Sequence, residues 1–139
     1  MDAASAASEC MEAFNKRDWD RMRAVLSPDV TYSEKGSNRN TKGVDEIMQV
    51  ARDWDAAFPD LHGNIILSAN CGTTAVLEIT WTGTNSGPLQ TANGTVPATG
   101  RSVEFDDAQV FTVENGQIVS FRNYGDFVTM LTQLGLLPG

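Results

Sequence analysis

The spacing of the hydrophobic residues predicts three helices in the first half of the chain, because apolar side chains recur there every three or four residues. Asp18 is suited to cap the second helix with its carboxylate, and Pro59 ends the third. The apolar positions of the three helices are Ala3, Ala7, Cys10, Met11 and Phe14; Trp19, Met22, Val25 and Leu26; and Val44, Ile47, Met48, Ala51, Trp54 and Phe58.

The rest of the chain has the pattern of strands joined by turns, followed by one more helix. The dipeptide Asn115-Gly116 is a strong hairpin signal between the last two strands. Phe127, Met130 and Leu134 recur at helical spacing after them. Strands are predicted at residues 30–33, 61–69, 73–84, 101–113 and 117–124, and polar loops at 34–42 and 85–100.

This order of elements predicts a single α+β domain over residues 1–139. The helices would lie across one face of a curved antiparallel sheet, with the C-terminal helix closing it. A curved sheet covered by helices encloses an apolar funnel, and such funnels bind ligands. We therefore expect a hydrophobic small molecule as the partner.

Composition removes several functional classes. The net charge of −8 gives no basic face for nucleic acid. No apolar run approaches the roughly 20 residues that a membrane span needs, and the N-terminus lacks the pattern of a secretory signal, so we expect a cytoplasmic protein that does not bind membranes. No cluster of His, Cys, Asp or Glu has the spacing of metal ligands.

The segment FRNYGDF, residues 121–127, places four polar side chains where an apolar strand is closing. These side chains form either a solvated strand end or the wall of a site. Asp126 is the carboxylate of the group. In an apolar cleft its pKa would rise and suit it to take a proton from carbon, but the same residue can cap the following helix.

Several further segments resemble one protein family. They are WTGTNSGP (residues 81–88), PATGRSVEF (97–105), VFTVENGQI (110–118), AFPDLH (57–62) and FRNYGDF with the following QLG. These segments resemble the SnoaL-like polyketide cyclases, which belong to the nuclear-transport-factor-2-like superfamily with the ketosteroid isomerases and limonene-epoxide hydrolases. The resemblance implies a cone-shaped α+β fold that is open to a hydrophobic small molecule, and it implies a homodimer.

The resemblance also assigns roles to individual positions. The acid/base carboxylate of the cyclases falls on Asn123, and their other functional position, a histidine, falls on Gln109. Their GTH motif reads Gly83-Thr84-Asn85 here, which puts Asn85 among the substrate-binding candidates. The Arg-x-Asp pair of the epoxide hydrolases does not occur in the chain.

Two amides and a second carboxylate complete the candidate machinery. Asn123 and Gln109 can hold an enolate oxygen, or they can be ordinary polar strand residues. Strand alternation puts Asp107 and Gln109 on the face that carries Phe105 and Phe111. Asp107 would then be a carboxylate on the concave face, or a solvated residue at the rim.

Six aromatic residues are candidates for contact with the ligand. Tyr32 lies on the strand where the superfamily often presents a phenol to its ligand. The phenol of Tyr124 could serve in the same way. The other four could form an aromatic wall or simply pack in the core. These four are Trp54, Phe58, Trp81 and Phe111.

The expected function is cyclisation or isomerisation of a carbonyl-bearing hydrophobic molecule without a cofactor. Asp126 or Asp107 would be the base, with Asn123, Gln109 and Tyr32 as donors to the enolate. Three alternatives are open: a ligand-binding module without catalysis, a dimerisation scaffold whose cone is filled by its own side chains, and water addition of the epoxide hydrolase type.

Overall fold

The computed structural model describes residues 1–137 as four helices and eight strands. None of the helices in this range is both long and apolar enough to cross a membrane. The helices are α1 (Ala3–Asn15), α2 (Trp19–Val25), α3 (Val44–Ala57) and α4 (Phe127–Gln133). The strands are β1 (Leu26–Glu34), β2 (Arg39–Lys42), β3 (His62–Cys71), β4 (Thr74–Thr84), β5 (Leu89–Thr91), β6 (Gly94–Val96), β7 (Ser102–Glu114) and β8 (Gln117–Gly125).

The six long strands form one sheet in the order β2-β1-β8-β7-β4-β3, and β5 pairs with β6 in a separate hairpin. The predicted α+β cone is confirmed, but the sheet is not wholly antiparallel, because β1 runs parallel to β8. Register shifts interrupt β1, β3 and the pairing of β7 with β8. Irregularities of this kind bend strands, which curves the sheet around the helices.

Short polar residues set the ends of several elements as their sequence indicated. The carboxylate of Asp18 accepts a hydrogen bond from the backbone N–H of Arg21 at the start of α2. Asn115 and Gly116 both have positive φ in the turn between β7 and β8, as the hairpin signal requires. Gly135 has a φ of 73° directly after α4, the usual way for a helix to end at glycine.

Two of the predicted loops contain strands. The segment 34–42 was expected to be a polar loop, yet Glu34 ends β1 and residues 39–42 form β2. The expectation was wrong because β2 is a polar edge strand, and its residues lack the apolar alternation by which strands are recognised. The segment 85–100 likewise contains the hairpin of β5 and β6.

The core lies between the concave face of the sheet and the helices. Along β7 every second residue from Val103 to Val113 is buried, and this row faces inward. Helix α1 packs against β3, β4 and β7, α3 packs against β1, and α4 packs against β7. Two polar side chains, Asp107 and Gln109, belong to the buried row of β7.

Candidate active site

An inner cavity lies between the sheet and the helices, with a volume of about 70 Å³. Its wall is mainly apolar, and its polar groups come from the concave face of β1, β7 and β8. A volume of this size holds a few water molecules or one end of a larger ligand. The apolar wall includes Met11, Phe14, Val50, Trp81, Phe105 and Phe127.

The carboxylate of Asp107 is a buried, hydrogen-bonded group in the wall of the inner cavity. The side chain is only 3% exposed. Its Oδ2 accepts hydrogen bonds from Nε1 of Trp81 at 2.9 Å, Nε2 of Gln109 at 2.9 Å and Nδ2 of Asn123 at 3.1 Å. Three donors on one oxygen hold the carboxylate in a single orientation and leave Oδ1 free to act.

Burial raises the pKa of the Asp107 carboxyl above its usual value, because removal from water disfavours the charged form. The hydrogen bonds from Trp81, Gln109 and Asn123 act in the opposite direction, since they stabilise the carboxylate. The negative charge of Glu34 raises the pKa further. A carboxyl with a raised pKa is better matched to proton transfer near neutral pH.

A second buried carboxylate, Glu34, is joined to the wall of the inner cavity. Glu34 is 2% exposed. Its Oε2 accepts from the hydroxyl of Tyr32 at 2.5 Å and from Nε1 of Trp54 at 3.0 Å. Its Oε1 accepts from the hydroxyl of Ser37 at 2.6 Å. All three donors lie within reach of one side chain, so Glu34 is well satisfied although it is buried.

The environment of Tyr32 makes its hydroxyl a donor rather than a base. Burial, followed by the negative charge of Glu34, raises the pKa of Tyr32 well above its usual value. The phenol therefore stays protonated at any pH at which the protein would work. Its ring contacts Phe121 edge to face, with the centroids 5.0 Å apart.

The register of the sheet explains why these groups meet. Glu34 on β1 pairs with Asn123 on β8, and Asn123 pairs with Gln109 on β7. Side chains of paired residues lie on the same face of a sheet. Asp107 precedes Gln109 by two residues and shares that face. Polar side chains therefore form a continuous row across three strands.

Two acceptors in this row have no hydrogen-bond partner among residues 1–137, namely Oδ1 of Asp107 and Oε1 of Gln109. Both residues line the inner cavity. Buried acceptors are nearly always bonded in folded proteins, so a bound molecule with a donor would satisfy them. No three His, Cys, Asp or Glu side chains are grouped as metal ligands in the same range of residues.

The profile of the family described as SnoaL-like polyketide cyclase matches residues 4–134 of the chain. The chain belongs to this SnoaL-like family. None of the curated proteins matches it. The earlier resemblance to the SnoaL-like cyclases is thereby confirmed, over nearly the whole domain.

Solved structures place this SnoaL-like chain in the same fold. IdmH from Streptomyces antibioticus, a proposed polyketide cyclase, is 25% identical, with a TM-score of 0.81 over 97% of this chain and 99% of IdmH. A proposed polyketide cyclase from Xanthomonas campestris is 23% identical, with a TM-score of 0.82 over 95% and 96%. An LEH-like epoxide hydrolase from M. tuberculosis is 21% identical, with a TM-score of 0.73 over 95% and 88%. The last two likenesses establish the fold, which hosts many functions.

Six of the candidate residues named from the sequence of this SnoaL-like chain line the inner cavity. For Asp107, the predicted position on the concave face is confirmed, and the alternative position in solvent at the rim is wrong. The amides of Gln109 and Asn123 are directed at Asp107, so they support the carboxylate rather than face the cavity alone. The six residues are Tyr32, Trp54, Trp81, Asp107, Gln109 and Asn123.

Of the two roles predicted for Asp126, the structure shows the helix cap and not the carboxylate in an apolar cleft. Its side chain is exposed and caps α4 by accepting from the N–H and the hydroxyl of Thr129, at 3.1 and 2.6 Å. These hydrogen bonds lower the pKa of the Asp126 carboxyl below its usual value. Both properties are the reverse of what a base for carbon acids requires, so the candidate base is Asp107.

Four further candidates lie outside the inner cavity. Tyr124 is 47% exposed on the other face of β8. Phe58 and Phe111 are fully buried core residues, and neither reaches the cavity wall. The side chain of Asn85 forms hydrogen bonds to neighbouring segments of the chain. Its Nδ2 donates to the carbonyls of Ala57 and Gly87, and its Oδ1 accepts from Thr99.

Glu34 is the functional candidate that sequence reasoning missed. The polar loop predicted at 34–42 includes it, although Val30, Tyr32 and Glu34 alternate as one face of a strand would. Extending the predicted strand by one residue would have put Glu34 on the same face as Tyr32. Its partner Asn123 is distant in sequence, and the parallel pairing that joins them has no local signal.

Proposed function

We propose that this chain catalyses proton transfer on a hydrophobic, carbonyl-bearing small molecule without a cofactor, leading to cyclisation or isomerisation. One observation carries the proposal: the buried Asp107 has one oxygen held by three donors and the other free in a mainly apolar cavity. A base of this kind is suited to carbon acids, because its pKa is raised by burial.

In the proposed reaction, Oδ1 of Asp107 removes a proton from the carbon next to the carbonyl. The C–H electron pair moves into the new carbon–carbon double bond, and the carbonyl π pair moves onto oxygen to give an enolate. In isomerisation, Asp107 returns the proton to a different carbon of the extended enolate. In cyclisation, the enolate carbon attacks a second carbonyl of the same molecule, and the proton passes to the new alkoxide. Both routes return Asp107 to its starting form.

Tyr32 is the proposed donor to the enolate oxygen. Its hydroxyl is protonated, lines the inner cavity and donates to Glu34 in this structure. If the hydroxyl turns toward a substrate oxygen, Glu34 retains its hydrogen bonds from Trp54 and Ser37. The second N–H of the Asn123 amide is a further donor that the site can offer.

The proposal is tested by deuterium exchange. A panel of aryl ketones and cyclic enones is incubated in D₂O, and loss of the hydrogen next to the carbonyl is followed by NMR. We expect Asp107→Asn to lower the enzyme-dependent rate by a factor on the order of a thousand. Asp106→Asn is the matched control, because Asp106 is the preceding residue on β7 and its side chain is exposed on the other face. Equal rates for the two variants would contradict the role of Asp107.

Water addition is a second candidate function, favoured by the two unpartnered acceptors. Oδ1 of Asp107 and Oε1 of Gln109 could together accept both hydrogens of one water molecule. Asp107 would then take a proton from water, and the hydroxide would attack one carbon of an epoxide. The bond from that carbon to the ring oxygen breaks, and the ring oxygen takes the proton from Asp107 to complete a diol. Incorporation of heavy oxygen from labelled water into the diol formed from an epoxide, lost in Asp107→Asn, would support this candidate over enolate chemistry.

A binding module without catalysis is a further alternative. It predicts saturable ligand binding with no deuterium exchange and no incorporation of heavy oxygen. A homodimer, as the family resemblance implies, and a cytoplasmic location are also proposals. Sedimentation analysis of the purified chain and fractionation of the producing cells test them.

A further inference from the structure

A second, outer pocket adjoins the inner cavity and has a volume of about 380 Å³. Trp54 lines both spaces. Glu34 lines the outer pocket and bonds to Tyr32 in the wall of the inner cavity. The remaining walls are the turn after β1, the start of β2 and the β5–β6 hairpin. The side chain of Trp54 therefore borders both spaces, and its hydrogen bond to Glu34 links their walls.

The polar lining of the outer pocket carries a formal charge of −1. Its charged residues are Glu34, Asp53 and Arg39. Nη2 of Arg39 is paired with Oδ2 of Asp53 at 2.7 Å, so these two opposite charges compensate each other. The excess carboxylate, Glu34, is shared with the inner cavity. A ligand carboxylate in the outer pocket would meet uncompensated negative charge.

The size of the inner cavity requires a second space for any larger ligand. Pockets for drug-sized ligands measure about 300–1,000 Å³, whereas the inner cavity has about 70 Å³. Movement of Trp54 would break only one hydrogen bond, which its indole N–H donates to Glu34. Glu34 would keep the hydrogen bonds that it accepts from Tyr32 and Ser37. Because Trp54 lines both spaces, movement of its ring would alter the boundary between them.

We propose that the outer pocket binds the polar end of an amphipathic substrate, and that this end carries hydrogen-bond donors and no negative charge. The apolar, carbonyl-bearing end passes Trp54 and reaches Asp107, a part of the inference that rests on the proposed function. Ser37, Asn38 and Gln90 offer hydrogen-bonding groups to the polar end. Trp54 and Asp53 thereby become determinants of specificity.

A set of three probes tests the inference by binding alone. Each probe is an acetophenone ring joined through an ether to a hexyl chain, which ends in a hydroxyl, an ammonium or a carboxylate group. We expect the carboxylate probe to bind about tenfold more weakly than the hydroxyl probe, the effect of one nearby like charge, and the ammonium probe to bind at least as tightly as the hydroxyl probe. Isothermal titration of the full chain measures the three affinities.

Asp53→Asn is the informative variant, because it removes one negative charge and frees Arg39. We expect it to reduce the preference for the hydroxyl over the carboxylate probe by about threefold or more. Asp45→Asn is the matched control: Asp45 lies on the same helix and pairs with Arg23 at 2.8 Å, but its side chain is 89% exposed and far from the pocket lining. The control should keep the wild-type preference.

Trp54→Phe tests the partition between the two spaces. The variant keeps an aromatic ring and loses the N–H that bonds to Glu34, so the hydroxyl probe should associate about threefold faster or more. Trp19→Phe is the control, since Trp19 packs on Phe14 and lines neither space. Stopped-flow measurement of tryptophan fluorescence gives both rates.

Several results would overturn the inference: equal affinity for the three probes, tighter binding of the carboxylate probe, no binding of any probe, or equal effects of the Asp53 and Asp45 substitutions. The proposed function fails in a different way. Predicted binding without Asp107-dependent deuterium exchange at the acetyl methyl group of the hydroxyl probe would support the outer pocket and contradict the proposed chemistry.

Discussion

Nδ2 of Asn123 lies 3.1 Å from Oδ2 of Asp107 and donates a hydrogen bond to it across β7 and β8. The orientation of the amide is set by Gly125, whose backbone N–H donates to Oδ1 of Asn123 at 2.9 Å. Asn123 stands where the family resemblance expects an ionisable group. In this chain the position holds a neutral support for a carboxylate on the neighbouring strand.

Asp107→Asn should change how stability depends on pH. The pKa of Asp107 is raised in the folded state. The contribution of this carboxyl to the free energy of unfolding is therefore fully present below the unfolded pKa, and it is lost as pH rises through the folded pKa. The variant lacks this loss. Compared with wild type, it should gain stability in urea unfolding as the pH rises above the usual aspartate pKa of about 4. A constant difference between the two proteins would contradict a raised pKa.

Asn123→Asp should raise the pKa of Asp107 further and move the exchange activity to higher pH. Two carboxylates at hydrogen-bond distance cannot both be charged without a large penalty, and they share one proton instead. We expect the acidic limb of the pH–rate profile to shift upward by about one unit or more. Asn123→Leu, which adds no charge, should lower the rate without this shift.

Tyr32→Phe should lower deuterium exchange by a factor on the order of a hundred, because the enolate loses its main donor. The ring contact with Phe121 is retained, and Glu34 keeps its bonds from Trp54 and Ser37. Unfolding free energy should therefore fall by only about 1 kcal/mol.

Tyr124→Phe provides the control for that variant, since Tyr124 is 47% exposed and lies outside the inner cavity. Its exchange rate and stability should match those of wild type. A comparable loss of exchange in both tyrosine variants would remove Tyr32 from the mechanism.

Asn85→Ala should reduce stability and leave ligand affinity unchanged. Its fully buried side chain makes hydrogen bonds to Ala57, Gly87 and Thr99. Losing them should destabilise the fold by about 3 kcal/mol, with the affinity of folded protein for the hydroxyl probe within about twofold of wild type. The exposed Asn64→Ala should be near neutral in both measurements. An affinity loss specific to Asn85→Ala would restore it as a ligand contact.

Local pattern accounts for most of the fold. Helical spacing located α1 and α3, Asp18 marked the start of α2, and Asn115-Gly116 marked the turn between β7 and β8. These features depend on neighbouring residues, so a single sequence contains them. The parallel pairing of β1 with β8 depends on residues roughly ninety positions apart, and no local pattern encodes it.

The candidate site was predictable only in part, for the same reason. Strand alternation put Asp107 and Gln109 on the concave face, which is where they lie. Whether Asp107 was buried depended on the helices that cover it, and the choice between base and cap for Asp126 depended on exposure. Glu34 escaped notice because its burial follows from the contacts of Tyr32 and Trp54, not from its sequence neighbours.

The central claim is that Asp107 is a buried base poised for proton transfer. The most direct measurement is a carbon NMR titration of the protein labelled at its aspartate carboxyl carbons, with Asp107→Asn used to assign the resonance. We predict one carboxyl that titrates above the usual aspartate range and is missing from the variant. An Asp107 resonance that titrates at or below the usual range would contradict the claim.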